Sequence, residues 1–218
     1  MTGELNIGKG RCQGSARLLI KPLQAVIELG ALQDVITATL NCVHHANRTG
    51  DADDFIAVAL PQMHKGRNVA RLGHEIELIG SEASLVRLDA MDGVATLRRR
   101  GMIEGIEIGE TWLDPGTTGA AYVRDRSGEK YTAGWLRRTA ARAERRGKPL
   151  GKHLKRERLD DKSTLALFYG EAVIHVREVI AEISEEPLIV STYGFSSLVS
   201  PAILPVVPDS AREAFDAA

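Results

Sequence analysis

Between residues 23 and 113 the apolar side chains change period in a fixed order, and that order restricts the fold more tightly than any single motif. Leu23, Ala25, Ile27 and Leu29 alternate with Gln24 and Glu28, which predicts a strand. Gly30 then turns the chain into a helical pattern, in which Leu32, Val35, Ile36, Leu40 and Val43 recur up to about Ala46. A polar loop, Asn47 to Asp54, leads to a short apolar strand, Phe55 to Leu60, stopped by Pro61. A further strand is expected from His74 to Gly80, paired with the one before it. Ser81 reads as the N-cap of a helix carrying Leu85, Leu88, Val94 and Leu97, with Gly93 as a break and Arg98 to Arg100 at its end. A strand around Met102 to Ile108 completes the order β-α-β-β-α-β, the ferredoxin-like (RRM-like) arrangement in an α+β protein.

Around that block the chain divides by composition. Residues 1–22 hold Gly3, Gly8, Gly10 and Gly14 and end at Pro22, so they are read as an N-terminal extension, with the ferredoxin-like domain at 23–113. Asp114-Pro115-Gly116 is a turn signal and the candidate boundary to a C-terminal region, 114–210, followed by a polar tail at 211–218. That region contains a helix-forming stretch, Thr132 to Arg146, and strand-like runs at Ala172 to Val176 and Pro187 to Thr192.

Charge separates the same two parts. From Arg124 to Arg158 there are 13 Lys or Arg against 4 Asp or Glu, and the remaining residues hold 15 against 25. A basic stripe on an otherwise acidic protein is the footprint of a polyanion, because cationic side chains displace counterions condensed on a phosphate backbone. Arg138, Arg142 and Arg145 fall on one helical face, with Leu136, Ala140 and Ala143 on another, and Glu144 is the only acid between Tyr131 and Gly147. Mixed charge on a helix is usually a solvated face, but charge of one sign repels itself and is better explained by a bound polyanion. With 5% aromatic residues, recognition by shape and charge is favoured over stacking of many splayed bases.

An apolar fraction of 44% supplies a core, and no uninterrupted apolar run approaches the roughly 18 residues of a membrane span. The start MTGELNIGKG lacks a secretory signal, so a cytoplasmic location is expected. Cys12 and Cys42 have no metal-ligand spacing and read as reduced thiols. His64, His74 and His175 show no metal spacing either, and Trp112 and Trp135 are expected to be packing residues.

Taken in order, LNCVHHAN, FIAVALP, RLGHEIELI with its Ser-capped helix, the YxR-type segment, the arginine helix and YGFSS ahead of a proline-containing end resemble the CRISPR repeat-RNA processing endoribonucleases of the type I-F branch. The resemblance spans roughly residues 23 to 207. It implies a ferredoxin-like domain bearing a nuclease histidine and an arginine helix lying along the major groove of a repeat hairpin cut at its 3′ base. It also implies that the protein stays on the mature crRNA with other subunits of a Cascade-like surveillance complex. By position, His44 matches the histidine, with His45 in the next place, and Tyr193 matches a supporting tyrosine. Arg138 and Arg142 match helix arginines that grip the RNA, with Arg137, Arg145 and Arg146 beside them, and Arg126 sits near a base-reading position. The family's ribose-positioning serine falls in KSTLALFYGEAVIHV, where Ser163 is the nearest candidate, and SGEK after Arg126 departs from the family's base-reading pattern.

RNA carries its own nucleophile, so no metal or other cofactor is implied: a histidine that removes the 2′-hydroxyl proton suffices. The resemblance implies a 2′,3′-cyclic or 3′ phosphate and a 5′-hydroxyl as product ends. A position near a helix end is expected to raise the pKa of His44, leaving the tyrosine or bound RNA to set its working protonation. Taken alone, a His-His pair is more commonly a surface helix cap. Two other classes compete: a catalytically inactive RNA-hairpin-binding subunit of the same fold, and a DNA-binding regulator, which lacks a helix-turn-helix.

Overall fold

A computed structural model describes residues 8–67, 70–126, 133–147, 163–169 and 172–206. In chain order its first half contains β1 (Lys9–Cys12), β2 (Ala16–Ile20), α1 (Gln24–Glu28), α2 (Leu32–Thr49), β3 (Ala57–Ala59), β4 (His64–Lys65), β5 (Ala70–Arg71), β6 (Ile76–Gly80), α3 (Glu82–Asp89), α4 (Asp92–Arg99) and β7 (Ile108–Glu110). The second half contributes β8 (Thr118–Arg124), α5 (Ala133–Arg145), β9 (Thr164–Tyr169), β10 (Ala172–Glu182), β11 (Leu188–Ser191) and β12 (Ser196–Ser197).

The sequence ARLLI of β2 turns Ala16, Leu18 and Ile20 inward and leaves Arg17 and Leu19 outward, the period of a strand with one covered face. That strand lies inside a four-stranded sheet of order β3-β6-β2-β7, in which every neighbouring pair is antiparallel. Helix α3 packs on β2 and β6, and α2 packs on α3 and α4. A second four-stranded sheet, β12-β8-β10-β9, joins β10 antiparallel to β8 and β9, with β12 parallel to β8. One apolar core runs through both halves, from Leu18, Val43 and Leu78 to Leu167, Val176 and Phe195.

The first strand of the expected β-α-β-β-α-β order is therefore displaced. Leu23 to Leu29 does not form a strand: Gln24–Glu28 is a helical turn in which Val26 alone is buried and Leu29 is 83% exposed. The strand sits at Ala16–Ile20, within the stretch read as an extension, because ARLLI buries its alternate residues more completely than LQAVIEL can. Helix α2 continues past Ala46 to Thr49, and the helix after Ser81 is two helices separated at Ala90 and Met91. Ser81 does cap the first of these, accepting from the Ser84 N–H at 3.0 Å while Ser84 returns a bond to its own N–H. The last paired strand of this sheet is Ile108–Glu110 rather than Met102 to Ile108. Strands β8 and β9 arise in stretches for which no strand was expected, and the strand expected at Ala172 to Val176 runs on to Glu182. Trp112 is 72% exposed and so is not a packing residue.

Cys12 and Cys42 are buried free thiols, and burial pushes Cys12 up to about 12 and raises Cys42. Among the described residues no helix is long and apolar enough to cross a membrane. Lys152, His153, Lys155, Arg156, Arg158 and the tail 211–218 lie outside the described residues.

Asn47, fully buried near the end of α2, ties three segments together. Its Oδ1 accepts the Ile56 N–H at 2.7 Å, and its Nδ2 donates to the Ile56 carbonyl at 2.9 Å and the Thr192 carbonyl at 3.3 Å. The turn after Thr192 closes by the Gly194 N–H donating to Ser191 at 2.8 Å, and the Gly194 carbonyl accepts from Val58 at 2.9 Å. Gly194 holds φ +82°, and a Cβ there would stand 2.5 Å from Val58 Cγ2, so the site requires glycine on both conformational and steric grounds. Truncating Asn47 leaves buried backbone groups without partners, which costs about 1–3 kcal/mol for each. Asn47→Ala is therefore expected to destabilise the protein by about 2–4 kcal/mol in urea denaturation. A loss below about 1 kcal/mol would show that the clamp is not what holds α2 to the Thr192 turn.

Candidate active site

Helix α2 and the Thr192 turn, fixed to each other by Asn47, bring one side chain from each into contact. The His44 ring stacks on Tyr193 with centroids 4.4 Å apart and planes 17° from parallel. Tyr169, at the end of β9, meets His44 edge-on at 5.3 Å and Tyr193 at 5.0 Å, so the three rings form one cluster. Thr37 Oγ1 donates to the Phe168 carbonyl at 3.3 Å, holding β9 against α2 one residue before Tyr169. On the far side Arg124, the last residue of β8, places its Cζ 5.4 Å from the Tyr193 centroid. Helix α2, the end of β9 and the Thr192 turn thus meet at His44, and the end of β8 reaches Tyr193.

His44 is half-buried, and its Nδ1 is buried with no hydrogen-bond partner of good geometry. Burial is the main influence on its pKa and pulls it below the ordinary 6.5; the Thr192 carbonyl opposes this, and Arg48 and His45 add to it. The expected upward shift is corrected here. Because α2 runs to Thr49, His44 lies inside the helix rather than in the last turn, and desolvation outweighs any dipole at the end. A neutral imidazole at pH 7 can accept a proton. The Tyr169 phenol is shifted the opposite way, upward by burial first and by Tyr193 second, so it remains a protonated donor. His44 opens onto a cleft of about 300 Å3 shared with Asn41, His45, Arg48, Thr49 and Tyr169.

The other residues singled out in the sequence distribute as follows. His45 is exposed on the rim of the same cleft. Ser163 precedes β9, whereas Tyr169 ends it; at about 3.3 Å per residue the strand separates Ser163 from Tyr169 by on the order of 20 Å along the backbone. The structure therefore does not bring Ser163 to His44. Arg126 is exposed just beyond β8, two residues from Arg124. Arg137, Arg138, Arg142 and Arg145 are exposed along α5, and Arg146 directly follows it. The less exposed stripe of α5 is Trp135, Thr139 and Ala143, whereas Leu136 and Ala140, expected on the apolar face, are exposed. Among the described residues no group of three or more His, Cys, Asp or Glu is placed to hold a metal ion.

Tyr169, Arg124 and Asn47 were not legible as site residues. LALFYG lacks the alternation that would have marked β9, and Asn47 looked like the first residue of a loop rather than a buried clamp. No family model matches the chain, and no curated protein matches it.

The downward shift fixes a sign. A histidine that is harder to protonate in the folded state makes folding less favourable as pH falls below 6.5, where the unfolded chain takes up the proton first. In an NMR titration His44 is expected to show a midpoint below 6.5, and Tyr193→Ala, by opening the ring to water, is expected to move it upward. A midpoint above 6.5 in the wild type would contradict burial as the controlling influence.

Proposed function

We propose that this protein is a metal-independent endoribonuclease that cuts CRISPR precursor RNA at the base of the repeat hairpin. It then stays bound to the mature crRNA within a type I-F-like surveillance complex. The observation that carries this reading is the His44–Tyr193–Tyr169 cluster with Arg124 beside it, joined in one chain to a helix that exposes four arginines, with a fifth directly after it, within the basic stretch. The antiparallel order β7-β2-β6-β3, with α1 and α2 between β2 and β3 and α3 and α4 between β6 and β7, supports reading the first half as ferredoxin-like.

In the proposed reaction neutral His44 takes the proton of the 2′-hydroxyl, and the resulting oxygen attacks the adjacent phosphorus. The bond to the 5′-oxygen breaks, that oxygen takes a proton from water as it leaves, the His44 imidazolium returns its proton to solvent, and the products are a 2′,3′-cyclic phosphate and a 5′-hydroxyl. Stacking on Tyr193 fixes the plane of the imidazole, and the Arg124 cation lies close enough to that pair to offset charge developing on the phosphate. On α5, guanidinium groups on one face suit the phosphates of a duplex stem, which they position without reading bases. A catalytically inactive hairpin-binding subunit is the second reading, and the distance of Ser163 from the ring cluster is what favours it. Under that reading the arginine helix binds RNA and His44 is only a packing residue.

His44→Ala is expected to reduce cleavage of a repeat hairpin by roughly 10²–10⁴-fold, with affinity nearly unchanged, while His45→Ala is milder. Cleavage should persist in excess EDTA and stop when the sugar at the cut site lacks its 2′-hydroxyl. A His44→Ala protein that cuts at the wild-type rate would remove this mechanism, and an intact protein that binds hairpins without cutting would establish the inactive-subunit reading.

Arg138→Ala and Arg142→Ala are each expected to weaken hairpin binding and to reduce the log–log salt slope by about one unit. Arg126→Ala, if the residue touches a base edge, should instead cost roughly 1–3 kcal/mol at one base pair. Unchanged slopes for both α5 variants would leave that helix without a role in RNA binding.

A further inference from the structure

The hairpin tip that follows the Tyr193 turn has a composition its own geometry does not ask for. Ser197 and Ser200 pair across it, with the Ser200 N–H donating to the Ser197 carbonyl at 3.2 Å and to its Oγ at 3.3 Å. The two residues between them are Leu198, 55% exposed, and Val199, 96% exposed. Tight turns favour Gly, Asn, Asp and Ser, and β-branched residues disfavour the positions a two-residue turn imposes. An aliphatic pair held out in water at such a tip stabilises neither the turn nor the core.

Beside the tip lies a cavity of about 500 Å3, within the range of small-ligand sites, roughly 300–1,000 Å3. Phe195, Leu198 and Val199 give it an apolar side, and Lys9, Arg124 and Arg126 give it a cationic side. Asp125 also borders it, but its carboxylate is buried and bonded by the Arg177 guanidinium at 2.7 Å, and its N–H donates to the His175 carbonyl at 2.8 Å. That pairing offsets the one acid in the wall and anchors the segment between Arg124 and Arg126. Arg124 belongs to both places: it borders this cavity and stands over Tyr193, which stacks on His44.

From this geometry we infer that the cavity is a subsite for one unpaired nucleotide of the RNA strand next to the bond that His44 acts on. Its base lies against Leu198 and Val199, and its phosphate faces Lys9. The inference rests on the endoribonuclease reading and deepens it. The Ser191 and Ser196 hydroxyls in the wall donate to the Phe195 and Tyr122 carbonyls, and the aliphatic surface of Leu198 and Val199 tolerates any base, because every base offers an apolar face. The nearby cations suit the strand's phosphates, and the charge is of the wrong sign for a basic peptide. The protein thus holds its substrate at two points, the stem along α5 and the single strand at this tip.

The test compares two hairpin RNAs, each with one deoxy sugar at the stem base to prevent cutting: one ends at the stem, the other carries a single-stranded 3′ tail. In fluorescence anisotropy the wild type is expected to bind the tailed hairpin roughly fivefold or more tighter. Val199→Asp, at a site too exposed to affect folding, should erase that gain and leave affinity for the tailless hairpin unchanged. An abasic sugar as the first tail nucleotide should erase it in the wild type, and a thiouridine there should crosslink to the peptide containing Leu198 and Val199. Equal wild-type affinity for the two hairpins, or equal weakening of both by Val199→Asp, overturns the subsite while leaving the hairpin reading intact. Failure of the wild type to bind either hairpin overturns both.

Discussion

The buried amide of Asn47 is the contact on which the rest of the site depends. It satisfies both backbone groups of Ile56 and also reaches the Thr192 carbonyl, 145 residues away in the chain. These bonds lie in a core where unpaired polar groups are costly, so the position of α2 relative to the Thr192 turn is held by more than apolar packing. Gly194 completes the constraint, because only a residue without Cβ lets the turn approach Val58 while accepting its N–H. His44 and Tyr193 are one turn upstream of Asn47 and one residue after Thr192. Their stacking follows from the clamp rather than from attraction between two rings.

Electrostatics divides the molecule into tasks. Arginines with high exposure lie on α5 and beyond the end of β8, where solvated cations can exchange counterions with a polyanion. The imidazole is treated oppositely. Partial burial keeps it neutral in the midst of basic residues, and Arg48 nearby pushes its pKa in the same direction. In the proposed reaction a base beside bound RNA must resist protonation as phosphates approach, since their negative charge favours the imidazolium. A pKa lowered in the free protein leaves room for that rise before the base is lost.

Several of these features were legible in the sequence, and those that were not share a physical cause. Ser81 as a helix cap, the pairing of the FIAVAL and HEIELIG runs, and the amphipathic α2 follow from local rules that need no tertiary information. The first strand was misplaced because LQAVIEL and ARLLI both alternate, and only packing reveals which one has a core to bury against. Strand β8 escaped notice because AAYV is buried too continuously to alternate, and β9 because its outward positions, Ala166 and Phe168, are apolar although exposed, so that TLALF does not alternate in sequence. His44 and Tyr193 were recognisable as a pair only through the ordered resemblance, since their proximity depends on Asn47, whose burial no local pattern signals. The direction of the His44 shift failed for a related reason: helix ends are visible in sequence, but burial against Tyr193 and Tyr169 is not.

Whether His44 works as a proton acceptor on RNA is tested most directly by the chemistry of the cut ends. A hairpin RNA treated with the protein and resolved by mass spectrometry should yield a 5′ fragment ending in a 2′,3′-cyclic phosphate and a 3′ fragment beginning with a 5′-hydroxyl. That pair of ends can arise only if the 2′-oxygen attacks. A 3′-hydroxyl with a 5′-phosphate would mean that water attacked instead, and it would contradict the role assigned to His44.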